Sequence, residues 1–323
     1  MKLKINLLAT VLTVTACTAC CLLLIQTTAY AQDSTALAKE VITPARTKPV
    51  KNTFQSIWII DNQSVMVPIK GTFEMDIMHR FGTVDKGYDD FWGLFASSNI
   101  RIGVGYAPIN NLYLGLGIDK YEKLWDVSAK YAIIKQTKGK FPLSVTYYGN
   151  MAADTRSDGD HSIFKNQSDR VSSFNQLIFA RKINDKLSLQ VAPSVSHQNS
   201  VNGFYTKNDS TGKTLFEEMK HDHFAVSVAG RYKLGDATAV LVNYDQPITK
   251  HATNNPSPNL SFGFEFSTSG HTFQLFMGNY AYLNPQKNNL FNTNSPVNYT
   301  QADGTKVKGG KFLIGFNITR LWN

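Results

Sequence analysis

Leu260-Ser261-Phe262-Gly263-Phe264-Glu265-Phe266 is the stretch whose reading decides the fold. Large apolar side chains occupy every second position, against Ser261, Gly263 and Glu265. A strand turns successive side chains to opposite faces, so this is a ribbon with one greasy face and one small or polar face. The period recurs in Asn99 to Tyr106, where Ile100, Ile102, Val104 and Tyr106 oppose Asn99, Arg101, Gly103 and Gly105. It recurs again in Phe312 to Ile318, where Phe312, Ile314, Phe316 and Ile318 oppose Leu313, Gly315 and Asn317.

Working outward, twelve such runs fall at 72–81, 99–107, 112–119, 124–134, 143–152, 172–182, 187–197, 223–234, 237–245, 259–267, 271–279 and 311–322. The run at 172–182 is ambiguous in phase. The connections alternate in length: 82–98, 153–171, 198–222, 246–258 and 280–310 are long, and those between are short, with 120–123 short where a long one is expected. An even strand number with short turns at one end and long loops at the other is the layout of an outer-membrane barrel. The expected fold is therefore an all-β, antiparallel transmembrane β-barrel of about twelve strands, with long extracellular loops and short periplasmic turns. A soluble β-sandwich or lipocalin-like barrel is the alternative, but it would point its apolar face inward and carry a bulky, mixed, solvated surface outside. Aromatics at strand ends form two sets, Tyr106, Tyr131, Tyr232 and Trp322 at one end and Phe81, Trp125 and Tyr244 at the other, as in interfacial girdles.

Composition agrees. The 323 residues are 42% hydrophobic, 12% aromatic and 18% charged, too apolar for disorder. The formal charge of +9 contains no long Lys/Arg run, which argues against a nucleic-acid arm. All three cysteines, Cys17, Cys20 and Cys21, precede residue 22, so disulfides, zinc cages and a cysteine nucleophile are excluded beyond it. Lys2 and Lys4, the apolar stretch Leu7 to Ile25 and Ala29-Tyr30-Ala31 read as a signal peptide over 1–31, cleaved on export. A retained anchor and a lipoprotein site at Val14-Thr15-Ala16-Cys17 are the alternatives. Residues 32–70 read as a periplasmic linker whose apolar part, Phe54 to Val67, is either a hairpin under the barrel mouth or a plug entering the lumen. Gly103, Gly105, Gly115 and Gly117 on the lumen face suggest a groove that such a plug's backbone could approach. Residues 71–323 are the barrel.

The stretch from Gly71 to Gly82 (GTFEMDIMHRFG), the Asn99–Gly117 hairpin, Lys130 to Gln136 (KYAIIKQ) and Phe179 to Leu189 (FARKINDKLSL) resemble the β-barrel family filed as domain of unknown function 5777. The resemblance spans about residues 50 to 323, and His79-Arg80-Phe81-Gly82 is its most specific piece. It implies a Bacteroidota-type outer-membrane barrel and brings no activity and no functional residues with it.

On the face opposite the apolar stripe lie Glu74, Asp76, Arg80, Arg101, Asp126, Lys130, Arg231, Asp245 and Glu265. They are the candidate lumen lining, either a mixed-charge pore wall or an internal network that fills the barrel. Twelve strands lie between the filled and the open size classes. No metal site is assigned. His197, His221 and His223 are the weak candidates, because residues 221 and 223 share a face and 197 ends the preceding strand. Asp245 and His251 could partner His197 in a rim enzyme, but no Gly-x-Ser-x-Gly motif occurs, and an enzyme is not expected. No cofactor is expected. The expected function is a narrow pore or transporter for a small polar solute. A filled barrel that is structural or docks a periplasmic or exported protein is the alternative, and an outer-membrane enzyme stands third. Outer-membrane lipid is the expected surroundings. Arginine at Phe264 should cost more than at Gly263, which faces the lumen.

Overall fold

A computed structural model of the chain describes residues 48–159, 163–207, 211–251, 255–300, 304 and 306–323. The leader at 1–31 and the first part of the linker lie outside the described residues. The elements begin with two short strands, β1 (Trp58–Ile59) and β2 (Asn62–Gln63), which pair as a small hairpin. Twelve antiparallel strands then close into a barrel. They are β3 (Phe73–Thr83), β4 (Asn99–Ile109), β5 (Leu112–Asp119), β6 (Leu124–Ile134), β7 (Ser144–Asp154), β8 (Val171–Lys182), β9 (Leu187–Gln198), β12 (Asp222–Lys233), β13 (Thr238–Pro247), β14 (Asn259–Ser267), β15 (His271–Gly278) and β18 (Leu313–Trp322). Between them, β10 (Gly203–Lys207) pairs with β11 (Thr214–Glu218), β16 (Tyr299–Thr300) pairs with β17 (Lys306–Val307), and α1 (Pro285–Phe291) is a short helix. Each barrel strand pairs with the next in chain order, and β18 returns to β3. Closure removes the exposed edges an open sheet would carry. At the seam Phe73 lies opposite Tyr106 on one side and Trp322 on the other, with ring centroids 4.5 and 6.4 Å apart.

The strand boundaries fall within a few residues of the period-2 runs. The short 120–123 connection is a tight turn in which Glu122 takes a left-handed φ of 64°. The faces are inverted relative to a soluble protein: Phe264 is 48% exposed and Leu275 52%, whereas Arg80 and Lys130 are 0% exposed.

Inside the barrel lies the segment Thr53 to Val65, nearly all of it buried. Phe54, Ile59 and Ile60 pack with Phe174, Ile178, Leu241 and Phe276 of the wall. Ile57 and Trp58 pack with Met78, Tyr113 and Leu283. Burial of each such side chain contributes about 1.5–3 kcal/mol. This explains the ambiguous phase of β8. Its inward residues Phe174, Ile178 and Ala180 are apolar because they receive the hairpin, while its outward face mixes Val171, Leu177 and Phe179 with the polar Ser173 and Asn175.

Two expectations are corrected. The lumen glycines do not open a groove for the hairpin backbone. They make room for side chains of the wall, since a Cβ at Gly105 would sit 2.0 Å from the Tyr113 hydroxyl and one at Gly117 2.1 Å from Arg101 Nη2. Nor is Gly263 a mild position for arginine. A Cβ there would meet the Leu275 carbonyl oxygen at 2.2 Å and Phe276 Cα at 2.5 Å.

Candidate functional site in the barrel lumen

The hairpin is gripped from around the barrel by side chains that the strand period turns inward. Lys130 Nζ on β6 donates to the carbonyls of Ser64 and Met66, each at 3.1 Å, and to that of Ile57 at 3.3 Å. Gln274 on β15 accepts from the Ile60 N–H at 3.1 Å and donates to the Trp58 carbonyl at 2.9 Å. Asn317 on β18 donates to the Ile60 carbonyl at 2.5 Å. Gln190 on β9 donates to the Gln63 carbonyl at 2.7 Å, and Thr146 on β7 donates to that of Val65 at 3.2 Å. Ile60 has φ 61°, a costly conformation for a β-branched residue, so these wall bonds hold a turn the residue would not choose by itself.

Past the turn, Asn62 donates to Asp245 at 2.8 Å and to Asn243 at 3.0 Å, and accepts from Gln176 at 3.1 Å. Asp61 accepts from the Tyr280 hydroxyl. The neutral amides in this grip were not singled out from sequence, where only charges were counted. Their signal is their phase, for Gln176, Gln190, Asn243, Gln274 and Asn317 all fall on the polar side of the alternation.

The nine predicted lining charges are all buried on the lumen side. Arg101 bridges Asp76 at 2.8 Å and Asp126 at 2.9 Å, and Asn150 supports Asp126 at 3.0 Å. Arg231 meets Glu265 at 2.7 Å, and Glu74 accepts from Tyr113. Arg80 donates to Asn317 at 2.9 Å and lies over the Phe276 ring at 4.5 Å. Buried charges need such partners to offset lost hydration.

At the long-loop end residues 279–300 fold back over the mouth. Its helix α1 starts at an Asn284 cap and reaches the wall, with Gln286 donating to Asn150 at 2.7 Å. Tyr282 stands beside Tyr121 with ring centroids 5.4 Å apart. Burial, with Tyr121 and Glu122 alongside, pushes its phenol up to about 12, so it remains a neutral donor.

The histidines do not converge as the spacing suggested. His197 and His221 stack at 6.1 Å, and His197 is occupied by Asp222 at 2.8 Å and Asn199 at 2.8 Å. His223 instead faces His251 at 4.5 Å. Burial, with Lys220 and Lys250 nearby, holds the His251 ring below the usual imidazole range. Among the described residues no group of three or more His, Cys, Asp or Glu is placed to hold a metal ion. Asp245, a candidate partner for His197, is engaged by Asn62 in the lumen.

A family described as "Membrane bound beta barrel domain (DUF5777)" matches residues 54–322. The chain belongs to this family. The match takes in the lumen hairpin as well as every barrel strand. No curated protein matches. Among solved structures, the chain is similar to the NanC porin at 10% identity, covering 77% of this chain and 98% of that one with a TM-score of 0.41. It is similar to an outer membrane channel from Pseudomonas putida F1 at 10% identity, covering 80% and 97% with a TM-score of 0.44. It is similar to OmpT of Vibrio cholerae, expressed in the outer membrane, at 11% identity, covering 80% and 100% with a TM-score of 0.34. No functional property follows from likeness at this level.

Proposed function

We propose that this membrane-bound barrel is an outer-membrane channel for a small polar solute, held shut in the described state by its own N-terminal hairpin. The short-turn end faces the periplasm and the long loops face outward, after export by a cleaved signal peptide. The outward apolar residues meet lipid. The role is passage rather than catalysis.

The observation that carries the reading is the grip of Lys130 on three main-chain carbonyls of the segment 53–67. A cation coordinating carbonyls, without a carboxylate in the contact, can exchange them for water when the segment withdraws. The wall above the hairpin also stays hydrophilic, with Ser172, Ser194, Ser196, Gln198 and Ser227 facing inward.

A second reading has its own support. The pairing of Arg101 with Asp76 and Asp126, and of Arg231 with Glu265, is what a permanently filled docking barrel would carry. Planar-bilayer conductance separates the two. Deleting residues 53–67 should raise conductance well above that of the full chain. A deletion variant that keeps the heat-modifiable mobility of a folded barrel and conducts no better would remove the channel and leave the docking barrel.

A further inference from the structure

A second space lies beyond the hairpin at the long-loop mouth. Its volume is about 450 Å³, within the range of small-molecule sites. It is bounded by the outer ends of β8 and β9, the turn at Tyr121, the loop carrying Phe164, and α1.

Its charges are satisfied within the wall. Arg156 forks Asp154 at 2.7 and 3.1 Å, and Lys287 meets Glu122 at 2.9 Å. Arg170 donates to the carbonyls of Asp154 at 3.0 Å and Arg156 at 2.8 Å, and Asp169 accepts from the Asn166 N–H at 2.9 Å. Each of these charged side chains already has a hydrogen-bonding partner, which an entering ion would have to displace.

What the wall leaves open is neutral. Ser172 and Gln198 are cross-strand neighbours whose side chains both line the space. The residues are 2% and 5% exposed, yet Ser172 Oγ and Gln198 Nε2 have no hydrogen-bond partner among the described residues. A buried hydroxyl or amide left unpaired is costly, so such atoms call for a partner that enters the cavity. Around them stand the rings of Tyr121, Tyr282, Phe164 and Phe291. Phe164 carries Arg170 at 4.6 Å and Phe291 carries Lys287 at 5.3 Å, which fixes both rings in place. Hydroxyl-seeking groups beside aromatic rings match a molecule with a hydroxyl edge and a C–H face.

From this juxtaposition we propose that the outer vestibule is a binding subsite for a neutral saccharide of one or two rings. The proposal rests on the channel reading for its purpose, since it names the class of solute presented to the conduit. The binding itself is measured without passage.

The test is isothermal titration calorimetry on the full chain in a detergent without a sugar headgroup. The probes are maltose and N-acetylglucosamine, set against glucuronate and glucosamine. The neutral sugars should bind, and the charged ones should bind at least tenfold more weakly. Gln198→Leu, Ser172→Ala and Tyr282→Ala should each weaken maltose binding about tenfold. Asp236→Ala, in the exposed short turn at the other end of the barrel, should change it less than twofold. Heat-modifiable mobility verifies that each variant is folded. Absence of heat with either neutral sugar, equal binding of the charged sugars, or unchanged affinity in all three vestibule variants overturns the subsite. Saccharide binding by a protein whose hairpin deletion does not conduct would support the subsite and overturn the channel.

Discussion

The Lys130 ammonium lies 3.1 Å from the carbonyl oxygen of Ser64, and it reaches Met66 and Ile57 from the same point. A barrel-wall side chain thus closes its contacts on the main chain of a segment that precedes the barrel in sequence. Hydrogen bonds to a charged group contribute about 1.5–3 kcal/mol each. Lys130→Met removes all three while keeping much of the side-chain volume. Loosening the hairpin by only about 2 kcal/mol would multiply its open population roughly thirtyfold. The full-length variant should show frequent openings in planar bilayers where the natural protein shows few. Unchanged gating would mean that Lys130 is not part of what holds the segment.

Gly117 tests the role assigned to the lumen glycines. A Cβ there meets Arg101 Nη2 at 2.1 Å, and Arg101 is fixed by Asp76 and Asp126, so it has nowhere to retreat. Gly117→Ala should destabilise the barrel by about 1–3 kcal/mol, the usual cost of overpacking. Gly230→Ala is the contrast, since its nearest neighbour would be Leu189 Cδ2 at 3.4 Å, an ordinary contact. That change should stay within about 0.5 kcal/mol. The measurement is the urea midpoint of unfolding in detergent. Equal midpoints for the two variants would show that the space at Gly117 does not matter.

The barrel was legible in the sequence because its signal is repeated in every strand. Lipid outside and a polar lumen inside impose one period, and the turn and loop lengths order the strands. Less legible was what fills the lumen. Phe174, Ile178 and Leu241 blur the alternation because they face the hairpin, so the feature that weakened the strand signal was itself the mark of an inner partner. Charges were visible as lumen candidates, but sequence spacing does not say which of them pair across strands, as Arg101 does with Asp126. The amides Gln274 and Asn317 carry no charge to draw notice, yet they fix the hairpin turn. His223 and His251 approach because the chain after β13 turns back on the start of β12, where the Ile248 N–H donates to the Phe224 carbonyl, and neighbouring spacing cannot reveal that.

Phe264 tests the direction of the faces. It projects outward, 48% exposed, between the inward residues Gly263 and Glu265. In hydrocarbon an arginine there has no partner, and Phe264→Arg should cost about 2–4 kcal/mol if the position lies near mid-membrane. Phe264→Leu keeps the surface apolar and should cost less than about 1 kcal/mol. Gly263→Arg is not a usable control, since the clash with Leu275 and Phe276 would destabilise it for a different reason. Folding free energies in lipid vesicles decide the point, and equal costs for the two Phe264 variants would mean that this face does not meet lipid.

Orientation is tested by single cysteines, because the chain has none after Cys21. Thr214 opens β11 in the long 199–221 connection and is exposed. Asp236 lies in the short turn between β12 and β13, where it pairs with Lys233 at 2.8 Å. Replacing that exposed pair should leave stability nearly unchanged. With long loops outward, Thr214→Cys should react with a membrane-impermeant maleimide on whole cells. Asp236→Cys should stay unlabelled until the outer membrane is permeabilised. Because strand number is even, the barrel begins and ends on the side of Asp236, so its labelling also places the entry point of the hairpin. Whole-cell labelling of Asp236→Cys with Thr214→Cys protected would invert the barrel and turn the vestibule beside Ser172 and Gln198 toward the periplasm.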